Sequence, residues 1–162
     1  MTRTAYVGIG ANLGDALNTV HAAIEAIDAL PGTRVTARSS LYRSAPVDAG
    51  GDDFINAVVG LNTDVSAQTL LENLQHIERV FGRERPFRNA PRTLDLDLLL
   101  YDHLQMSTPG LELPHPRMSD RAFVLLPLLE IAPDAHIPGK GAASNYLVSV
   151  SSQRIERLNP SA

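Results

Sequence analysis

The sequence predicts an α+β protein: a ferredoxin-like β-α-β-β-α-β sandwich with an antiparallel sheet, two helices on one face and additions at the C-terminus. Two observations carry this prediction. Apolar residues alternate with polar ones in several short segments, which is typical of half-buried strands. In two other segments, at about 16–28 and 67–81, apolar residues recur every three to four positions, which is typical of amphipathic helices.

The first half of the chain supplies a strand, a helix and two further strands. We expect strands at 4–10, 34–42 and 54–63, and the loop 44–53 is rich in glycine and aspartate. Asp15 can cap the helix, which stops at Pro31-Gly32. The positions expected to face the core are Leu17, Val20, Ile24 and Ile27 in this helix, and Ile55, Ala57, Val59 and Leu61 in the third strand.

The second half supplies a helix and a strand, followed by the additions. Ser66 can cap the second helix, and we expect the fourth strand at 93–101. A short helix at 125–131 tolerates Pro127 only in its first turn. A further helix near Tyr146 and an edge strand near Ile155 would cover the other face or extend the sheet, so that 1–162 forms one domain. The inward positions of the second helix are Leu70, Leu74, Ile77 and Phe81.

The composition excludes several classes of function. The 162 residues contain no cysteine, which rules out disulfides, thiol catalysis and thiolate metal sites. No apolar run reaches the roughly 18 residues of a membrane span, and the N-terminus lacks a signal-peptide core. The net charge of -4 argues against a nucleic-acid-binding surface. We therefore expect a cytoplasmic protein that binds neither membrane nor nucleic acid. That it is a monomer acting on small-molecule substrates is a separate expectation, which does not rest on composition.

The glycines of the segment GIGANLG, residues 8–14, do not form a nucleotide-binding motif. They match neither G-x-G-x-x-G nor the phosphate-binding loop G-x-x-x-x-G-K-[ST]. We interpret them as turn and close-packing glycines.

Two aspartates interrupt a leucine-rich run, RNAPRTLDLDLLLYD, at residues 88–102. Buried carboxylates are costly unless they are paired or bind metal. Asp95 and Asp97 are two positions apart on a strand, so they share a face with Cα atoms about 6.5 Å apart and can converge on a cation. Mg²⁺ prefers a few carboxylates together with substrate phosphates. The alternative is a half-exposed strand that carries two acids by chance.

The same alternation assigns the other residues of this strand to two faces. Leu99 and Tyr101 are expected on the aspartate face. The residues expected on the opposite face, toward the core, are Leu94, Leu96, Leu98 and Leu100.

Arginine supplies thirteen of the fourteen basic residues, and its placement favours a phosphate ligand. Arginine forks bind phosphate oxygens in a way that lysine does not. Genome composition and ordinary surface ion pairs remain alternatives. The arginines crowd two loops, one with Arg83, Arg85, Arg88 and Arg92 and another with Arg117 and Arg121.

The segment RNAPRTLDLDLL, residues 88–99, resembles the signature of the 6-hydroxymethyl-7,8-dihydropterin pyrophosphokinase family. Further similar motifs are GANLGD at 10–15, YRSAP at 42–46, FINA at 54–57 and LPHPRMSDRAFVLLPL at 113–128. The resemblance implies an ATP- and Mg²⁺-dependent diphosphotransferase of folate biosynthesis. Such an enzyme transfers pyrophosphate from ATP to the hydroxymethyl group of the reduced pterin and releases AMP.

The resemblance also implies roles for individual residues. Asp95 and Asp97 would hold two Mg²⁺ ions, and Arg83 and Arg92 would be catalytic beside them. The implied ATP-binding residues are Gln75, Glu78, Arg83, Arg85, Arg92, Leu98, His115, Arg117 and Arg121. The implied pterin-binding residues are Ser44, Ala45, Val47, Phe54, Asn56 and Phe123.

Several of these assignments have a purely structural alternative. Gln75 and Glu78 are three positions apart and could be a solvated helix face. Phe54 and Phe123 could be ordinary core residues. His115 lies between two prolines and could be a loop or capping residue.

Three rival functions remain open at this point. A regulatory module of the same fold would bind a small molecule without catalysis. An RNA-binding sheet of this topology would need the K/R-G-F/Y-G/A-F pattern, which is missing, and only 5% of the residues are aromatic. A two-metal nuclease would suit the arginine loop but not the acidic balance.

Overall fold

The computed structural model describes residues 2–12, 15–45, 53–81 and 94–158. Its helices are α1 (Ala16–Asp28), α2 (Ala67–Phe81) and α3 (Ala122–Ile131). Short 3₁₀ turns lie at Met118–Asp120, Ala143–Tyr146 and Val148–Val150. The strands are β1 (Arg3–Ala11), β2 (Thr33–Arg38), β3 (Tyr42–Ser44), β4 (Phe54–Thr63), β5 (Asp95–Tyr101), β6 (Met106–Thr108), β7 (Leu111–Leu113), β8 (His136–Ile137), β9 (Gly141–Ala142) and β10 (Ile155–Arg157).

The main sheet confirms the predicted antiparallel α+β sandwich. Its strands run in the order β10-β3-β4-β1-β5, and β2 pairs with the same edge of β4 as β3 does. All of these pairs are antiparallel. If β2 and β3 are counted as one strand, the order 2-3-1-4 is that of a ferredoxin-like sheet. The expected edge strand near Ile155 is β10, which extends the sheet beyond β3.

The strand predicted at 34–42 is wrong as one element, because it breaks between Arg38 and Tyr42. Ser39 Oγ accepts a hydrogen bond from the backbone N–H of Val58 at 2.9 Å. The backbone N–H of Ser40 turns away from β4 and donates to both carboxylate oxygens of Glu130, at 3.1 and 2.9 Å. Side-chain partners thus replace the strand ladder at this point, which is how serine commonly ends regular structure.

Both predicted helix caps are confirmed. The Asp15 carboxylate accepts a hydrogen bond from Asn18 N–H at 3.3 Å, and Ser66 Oγ accepts one from Thr69 N–H at 3.1 Å. The inward face of α1 is narrower than expected, because Leu17 is 45% exposed while Val20, Ile24 and Ile27 are buried. In α2 the inward residues are as predicted, with Phe81 partly buried at the end.

Two hydrophobic cores lie on opposite faces of the sheet. The first lies between the sheet and the helices α1 and α2, and it includes the predicted inward residues of β4. The second lies between the sheet and α3, which therefore covers the other face, as expected of the C-terminal additions.

Strand β5 contributes to both cores through a bulge. The pairing of β1 with β5 shifts register between Tyr6 and Val7, which leaves Leu99 as an extra residue on β5. Leu99 lies on the aspartate face, as predicted, but the bulge reverses the alternation that follows it. Leu100 therefore packs in the α3 core and Tyr101 in the α1/α2 core, so both of these predictions are wrong.

Helix α3 begins three residues earlier than predicted, at Ala122. Pro127 is consequently the sixth residue of the helix and lies outside its first turn, contrary to expectation. Since proline has no N–H, the carbonyl of Phe123 cannot receive its usual helical hydrogen bond. Within the described residues, none of the helices is long and apolar enough to cross a membrane.

Candidate active site

Asp95 and Asp97 lie on the α3 face of β5, opposite two glycines of β1. Asp95 pairs with Gly10 and Asp97 with Gly8 across the ladder. Directly opposed residues of a sheet bring their side chains close together. A Cβ atom on Gly8 would lie 3.5 Å from Leu99 Cδ1, and one on Gly10 would lie 3.4 Å from Asn56 Oδ1. The prediction of close-packing glycines is therefore confirmed at these two positions, whereas the turn role is wrong for them because both lie within β1.

The first cavity, which we call the inner cavity, opens over these glycines and has a volume of about 410 Å³. This volume is in the range of small-molecule sites. It collects the two aspartates, Arg121 and most of the predicted pterin residues. Those pterin residues are Ser44, Ala45, Phe54, Asn56 and Phe123.

Asn56 is held so that its carbonyl oxygen faces this cavity. The side chain is 3% exposed, and its Nδ2 donates to Ser44 Oγ at 2.7 Å. A Cβ atom placed on Gly10 would lie 3.4 Å from Asn56 Oδ1 and 3.8 Å from Phe54 Cδ1. The floor at Gly10 therefore gives access to an amide acceptor and to an aromatic ring, as the shared face of Phe54 and Asn56 predicts.

The second depression, which we call the edge groove, lies along the outer edge of β5 and also has a volume of about 410 Å³. It collects four of the predicted ATP residues, namely Gln75, Glu78, Leu98 and His115. Asp97 lines both the groove and the inner cavity. One carboxylate thus forms a shared wall between two sites of ligand size.

Glu78 fastens α2 to the edge of β5. Its Oε2 accepts a hydrogen bond from the backbone N–H of Leu96 at 2.8 Å. That N–H therefore points away from β1, toward the groove. Because backbone groups alternate in direction along a strand, Leu98 presents its N–H and C=O on the same outer edge. A planar heterocycle lying in the groove could be recognised by this backbone.

His115 lies beside Asp97, with Nε2 3.8 Å from Asp97 Oδ1. Its Nδ1 accepts a hydrogen bond from Arg117 N–H at 3.2 Å, so the neutral ring carries its proton on Nε2. Burial lowers the pKa of His115, and the charges of Arg121 and Arg117 lower it further, whereas Asp97 opposes the shift. The ring is therefore kept neutral near physiological pH, with an N–H aimed toward the shared wall.

Among the described residues, Arg121 is the only basic residue that lines the inner cavity. Its guanidinium carbon lies 5.4 Å from the centroid of the Phe123 ring, within the range of a cation–π contact. Arg117 lines a neighbouring depression of about 450 Å³ on the outer side of Ser44 and Ala45, which Arg121 and Phe123 also border. Arg117 is thus not among the residues that line the inner cavity with the two aspartates.

The donor set of the site suits a cation that arrives with its ligand. Among the described residues, no group of three or more histidine or acidic side chains could hold a metal by itself. Two carboxylates that share a strand face provide the small number of oxygen ligands that Mg²⁺ uses when phosphates complete its shell. Asn12 adds an oxygen to the cavity wall, since its buried Oδ1 has no hydrogen-bond partner in the described part of the chain.

Several predicted residues lie outside the described residues: Val47, Arg83, Arg85 and Arg92. Other residues line the site without having been predicted. In the inner cavity they include Gly8, Gly10 and Asn12, and in the edge groove Leu71, Thr108 and Glu112. The signal for the glycines was their position opposite the two acids, which becomes visible only when the register is known.

The sequence of this chain is similar to those of several known proteins. A family model described as 7,8-dihydro-6-hydroxymethylpterin-pyrophosphokinase (HPPK) matches residues 6–133. The 2-amino-4-hydroxy-6-hydroxymethyldihydropteridine pyrophosphokinase of Methylorubrum extorquens is 43% identical over 159 residues, which cover 98% of this chain and 99% of that protein. The protein of the same name from Pseudomonas aeruginosa is 41% identical and covers 98% of each chain.

The fold is similar to that of a solved structure. The wild-type HPPK-DHPS of Plasmodium falciparum superimposes with a TM-score of 0.72 at 14% identity, over 93% of this chain. This chain spans 45% of the length of that protein. From the match of the family model and the near-full-length likeness to its relatives, the chain belongs to the 7,8-dihydro-6-hydroxymethylpterin-pyrophosphokinase family.

Proposed function

We propose that this chain transfers the pyrophosphoryl group of ATP to the hydroxymethyl oxygen of 6-hydroxymethyl-7,8-dihydropterin and releases AMP. The observation that carries the proposal is the shared wall at Asp97. It separates a cavity suited to a flat bicyclic ring from a groove suited to a nucleotide. A transfer between two substrates requires such adjacent binding sites, because the reacting atoms must approach each other closely.

The edge groove is the proposed ATP-binding site. Adenine would lie against the outer edge of β5, where Leu98 offers its backbone groups. Gln75 and Glu78 line the α2 side, and Glu78 also holds the strand in place through Leu96. The neutral His115 ring lies where the phosphate chain would pass on its way to Asp97.

The inner cavity is the proposed seat of the pterin. Asn56 would accept a hydrogen bond from an N–H of the heterocycle through Oδ1, because its Nδ2 group already donates to Ser44 Oγ and to the Phe54 carbonyl oxygen. Phe54 and Phe123 supply apolar cover for the ring. A pterin bound there would direct its hydroxymethyl group toward Asp95 and Asp97, which line the same cavity.

Asp95 and Asp97 are the proposed ligands of two Mg²⁺ ions. When bound, these ions would neutralise phosphate charge and polarise the phosphoryl oxygens. The chain itself orients the carboxylates by the strand alternation and keeps space beside them through Gly8 and Gly10.

The reaction forms a bond between the hydroxymethyl oxygen and the β-phosphorus of ATP, and it breaks the bond from that phosphorus to the oxygen that bridges it to the α-phosphate. The electron pair leaves with AMP, and the hydroxyl proton is released. Positioning and electrostatic stabilisation supply most of the acceleration in reactions of this kind. Arg121 would offset negative charge from the pterin side, and Arg83 and Arg92 are proposed as further catalytic cations, with Arg85 and Arg117 as ATP contacts.

The test is a coupled assay for AMP, with ATP in the presence and absence of the reduced pterin alcohol and of Mg²⁺. We expect AMP only when all components are present, together with a pterin pyrophosphate product. ATP consumption that is independent of the pterin, or formation of ADP in place of AMP, would contradict the proposal.

We further propose that the chain acts as a cytoplasmic monomer whose residues 1–162 form one catalytic domain. What supports a single catalytic unit is that Asp97 lines both proposed binding sites. Sedimentation of the purified protein with and without Mg²⁺–ATP tests the oligomeric state, and a stable dimer would contradict this proposal.

A further inference from the structure

A side chain from the C-terminal segment holds the backbone on both sides of Arg121. Gln153 Oε1 accepts a hydrogen bond from Ala122 N–H at 2.8 Å. Gln153 Nε2 donates to the carbonyl oxygen of Asp120 at 2.7 Å. One carboxamide therefore bonds to both neighbours of Arg121.

These hydrogen bonds replace a missing helix cap. Arg121 precedes α3 in an extended conformation, with φ -125° and ψ 116°, and its own side chain does not cap the helix. The first N–H groups of a helix have no partner within the helix and commonly use a side chain of the preceding residue. Here the acceptor for the Ala122 N–H comes from residue 153 instead, because the guanidinium of Arg121 carries only donors and could not accept this hydrogen bond.

The backbone of Arg121 is consequently fixed in three places. Its carbonyl accepts from the N–H groups of Val124 and Leu125 at 3.1 and 3.0 Å. The two peptide groups that flank it are fixed by Gln153. With these contacts in place, the direction in which the side chain leaves the backbone is set.

That direction leads into the proposed active site. The guanidinium of Arg121 lies over the Phe123 ring and lines the inner cavity together with Asp95 and Asp97. A long arginine side chain has many rotamers, so a fixed origin limits where its charge can go.

We propose that Gln153 is a positioning residue of the pyrophosphoryl transfer, which acts by fixing Arg121 and does not touch a substrate. This inference rests on the proposed function. An amide suits the task because it offers one donor and one acceptor. Glutamate would present two acceptors and leave the Asp120 carbonyl without its donor, and methionine would present neither polar group.

The experiment is a double-mutant cycle on kcat/KM with Gln153→Met, Arg121→Ala and the double variant. We expect Gln153→Met to lower kcat/KM by about fivefold to tenfold, the equivalent of one to two lost hydrogen bonds. In the Arg121→Ala background the same change should have no further effect, because residues that act as a unit are not additive. The matched control is Gln68→Met, since Gln68 is an exposed glutamine of α2 that hydrogen-bonds to Glu72; it should leave kcat/KM unchanged.

A merely structural role would give a different pattern. Gln153→Met would then lower kcat/KM equally in both backgrounds, or lower the melting temperature without an effect on kcat/KM, and either result would overturn the inference. Gln153→Glu is the second variant, and it should behave like Gln153→Met although it keeps one hydrogen bond.

A second readout does not depend on catalysis. The Arg121 side-chain protons lie over the Phe123 ring, so their NMR signals should carry a ring-current shift. We expect Gln153→Met to reduce this shift and Gln68→Met to preserve it. An unchanged shift in Gln153→Met would overturn the positioning role. An enzyme without pyrophosphokinase activity would contradict the proposed function, and the NMR comparison would still decide whether Gln153 fixes Arg121.

Discussion

Tyr42 donates a 2.7 Å hydrogen bond to Glu130 and so joins β3 to the last turn of α3. Glu130 also accepts from the backbone and the hydroxyl of Ser40, and Arg157 lies 3.6 Å from its Oε2. These contacts connect two elements that each contribute a residue to the lining of the inner cavity, Ser44 on β3 and Phe123 on α3. Residues that do not line the cavity thus join two of the elements that form it.

The hydrogen bond from Tyr42 to Glu130 predicts a loss of stability at alkaline pH. Burial, and then the hydrogen bond to Glu130, raise the pKa of Tyr42 from 10.0 to about 12. The folded protein thus favours the neutral phenol, and the resulting stabilisation is complete below pH 10 and is lost as the pH rises toward about 12. We expect the free energy of unfolding of Tyr42→Phe to be lower than that of the wild type at neutral pH, by about 1 kcal/mol.

Between pH 10 and 12 this difference should shrink, because the wild type loses a term that the variant lacks. Urea titrations at pH 8 and at about pH 11 measure it, and Tyr101 remains in both proteins as a common background. Parallel pH profiles for the two proteins would contradict the assignment.

Substitution of the shared wall should separate activity from stability. Asp97→Asn removes a carboxylate that is 41% exposed, so the free energy of unfolding should change by no more than about 0.5 kcal/mol. We expect kcat to fall at least about a hundredfold, because a metal ligand is weakened. Stopped-time assays of AMP and urea titrations measure the two quantities. Asp134→Asn, at an exposed position, is the control, and normal turnover in Asp97→Asn would remove the metal assignment.

The same cation site predicts a linkage between metal, nucleotide and stability. Because the proposed site uses two acids, and no group of three or more ligating side chains occurs among the described residues, removal of Mg²⁺ with a chelator should abolish turnover without unfolding the protein. Mg²⁺ added with a non-hydrolysable ATP analogue should raise the melting temperature, because a ligand that binds only the folded state stabilises it. Differential scanning fluorimetry measures the shift. An equal shift in Asp97→Asn would show that the cation binds elsewhere.

Side chains introduced at Gly10 should obstruct the pterin. A methyl group there would lie 3.4 Å from Asn56 Oδ1, and the branches of valine would extend further into the cavity. We expect Gly10→Val to raise the KM for the pterin by more than about tenfold, because overpacking costs about 1–3 kcal/mol, and to leave the KM for ATP nearly unchanged. Gly10→Ala should have a smaller effect in the same direction. Equal KM changes for both substrates would contradict the assignment of the inner cavity to the pterin.

Truncation of two helical leucines should affect the free energy of unfolding very differently. Leu70 is fully buried in the α1/α2 core, whereas Leu17 is 45% exposed. Leu70→Ala should lower the free energy of unfolding by about 2–5 kcal/mol, because it leaves a cavity. Leu17→Ala should change it by no more than about 0.5 kcal/mol. Urea denaturation measures both, and a large loss in Leu17→Ala would contradict the observed orientation of α1.

The sequence was sufficient for the parts of the fold that depend on local patterns. Asp15 and Ser66 predict where their helices begin because capping is a local interaction. The alternation of apolar and polar residues in β4 identifies its buried face. The shared face of Asp95 and Asp97 follows from the same alternation, and the structure places both residues on one wall. Their roles, like those of the other site residues, remain predictions.

The parts that the sequence did not predict depend on distant partners. The break between β2 and β3 requires Glu130, which is ninety positions from Ser40. The reversed alternation of side chains at Leu100 and Tyr101 depends on the register between β1 and β5. A run of leucines does not reveal that register. The contribution of Gly8 to the inner cavity likewise depends on which residue of β5 lies opposite. Local propensity cannot encode such pairings, because each is decided by the packing of the whole sheet.

The extra residue at Leu99 has a consequence for how β5 tolerates change. Consecutive leucines of β5 pack in two separate cores, one beneath α1 and α2 and the other beneath α3. Inserting or deleting a single residue would exchange those environments and rotate the acids out of their wall. A stretch whose composition looks monotonous is therefore among the least interchangeable in the molecule.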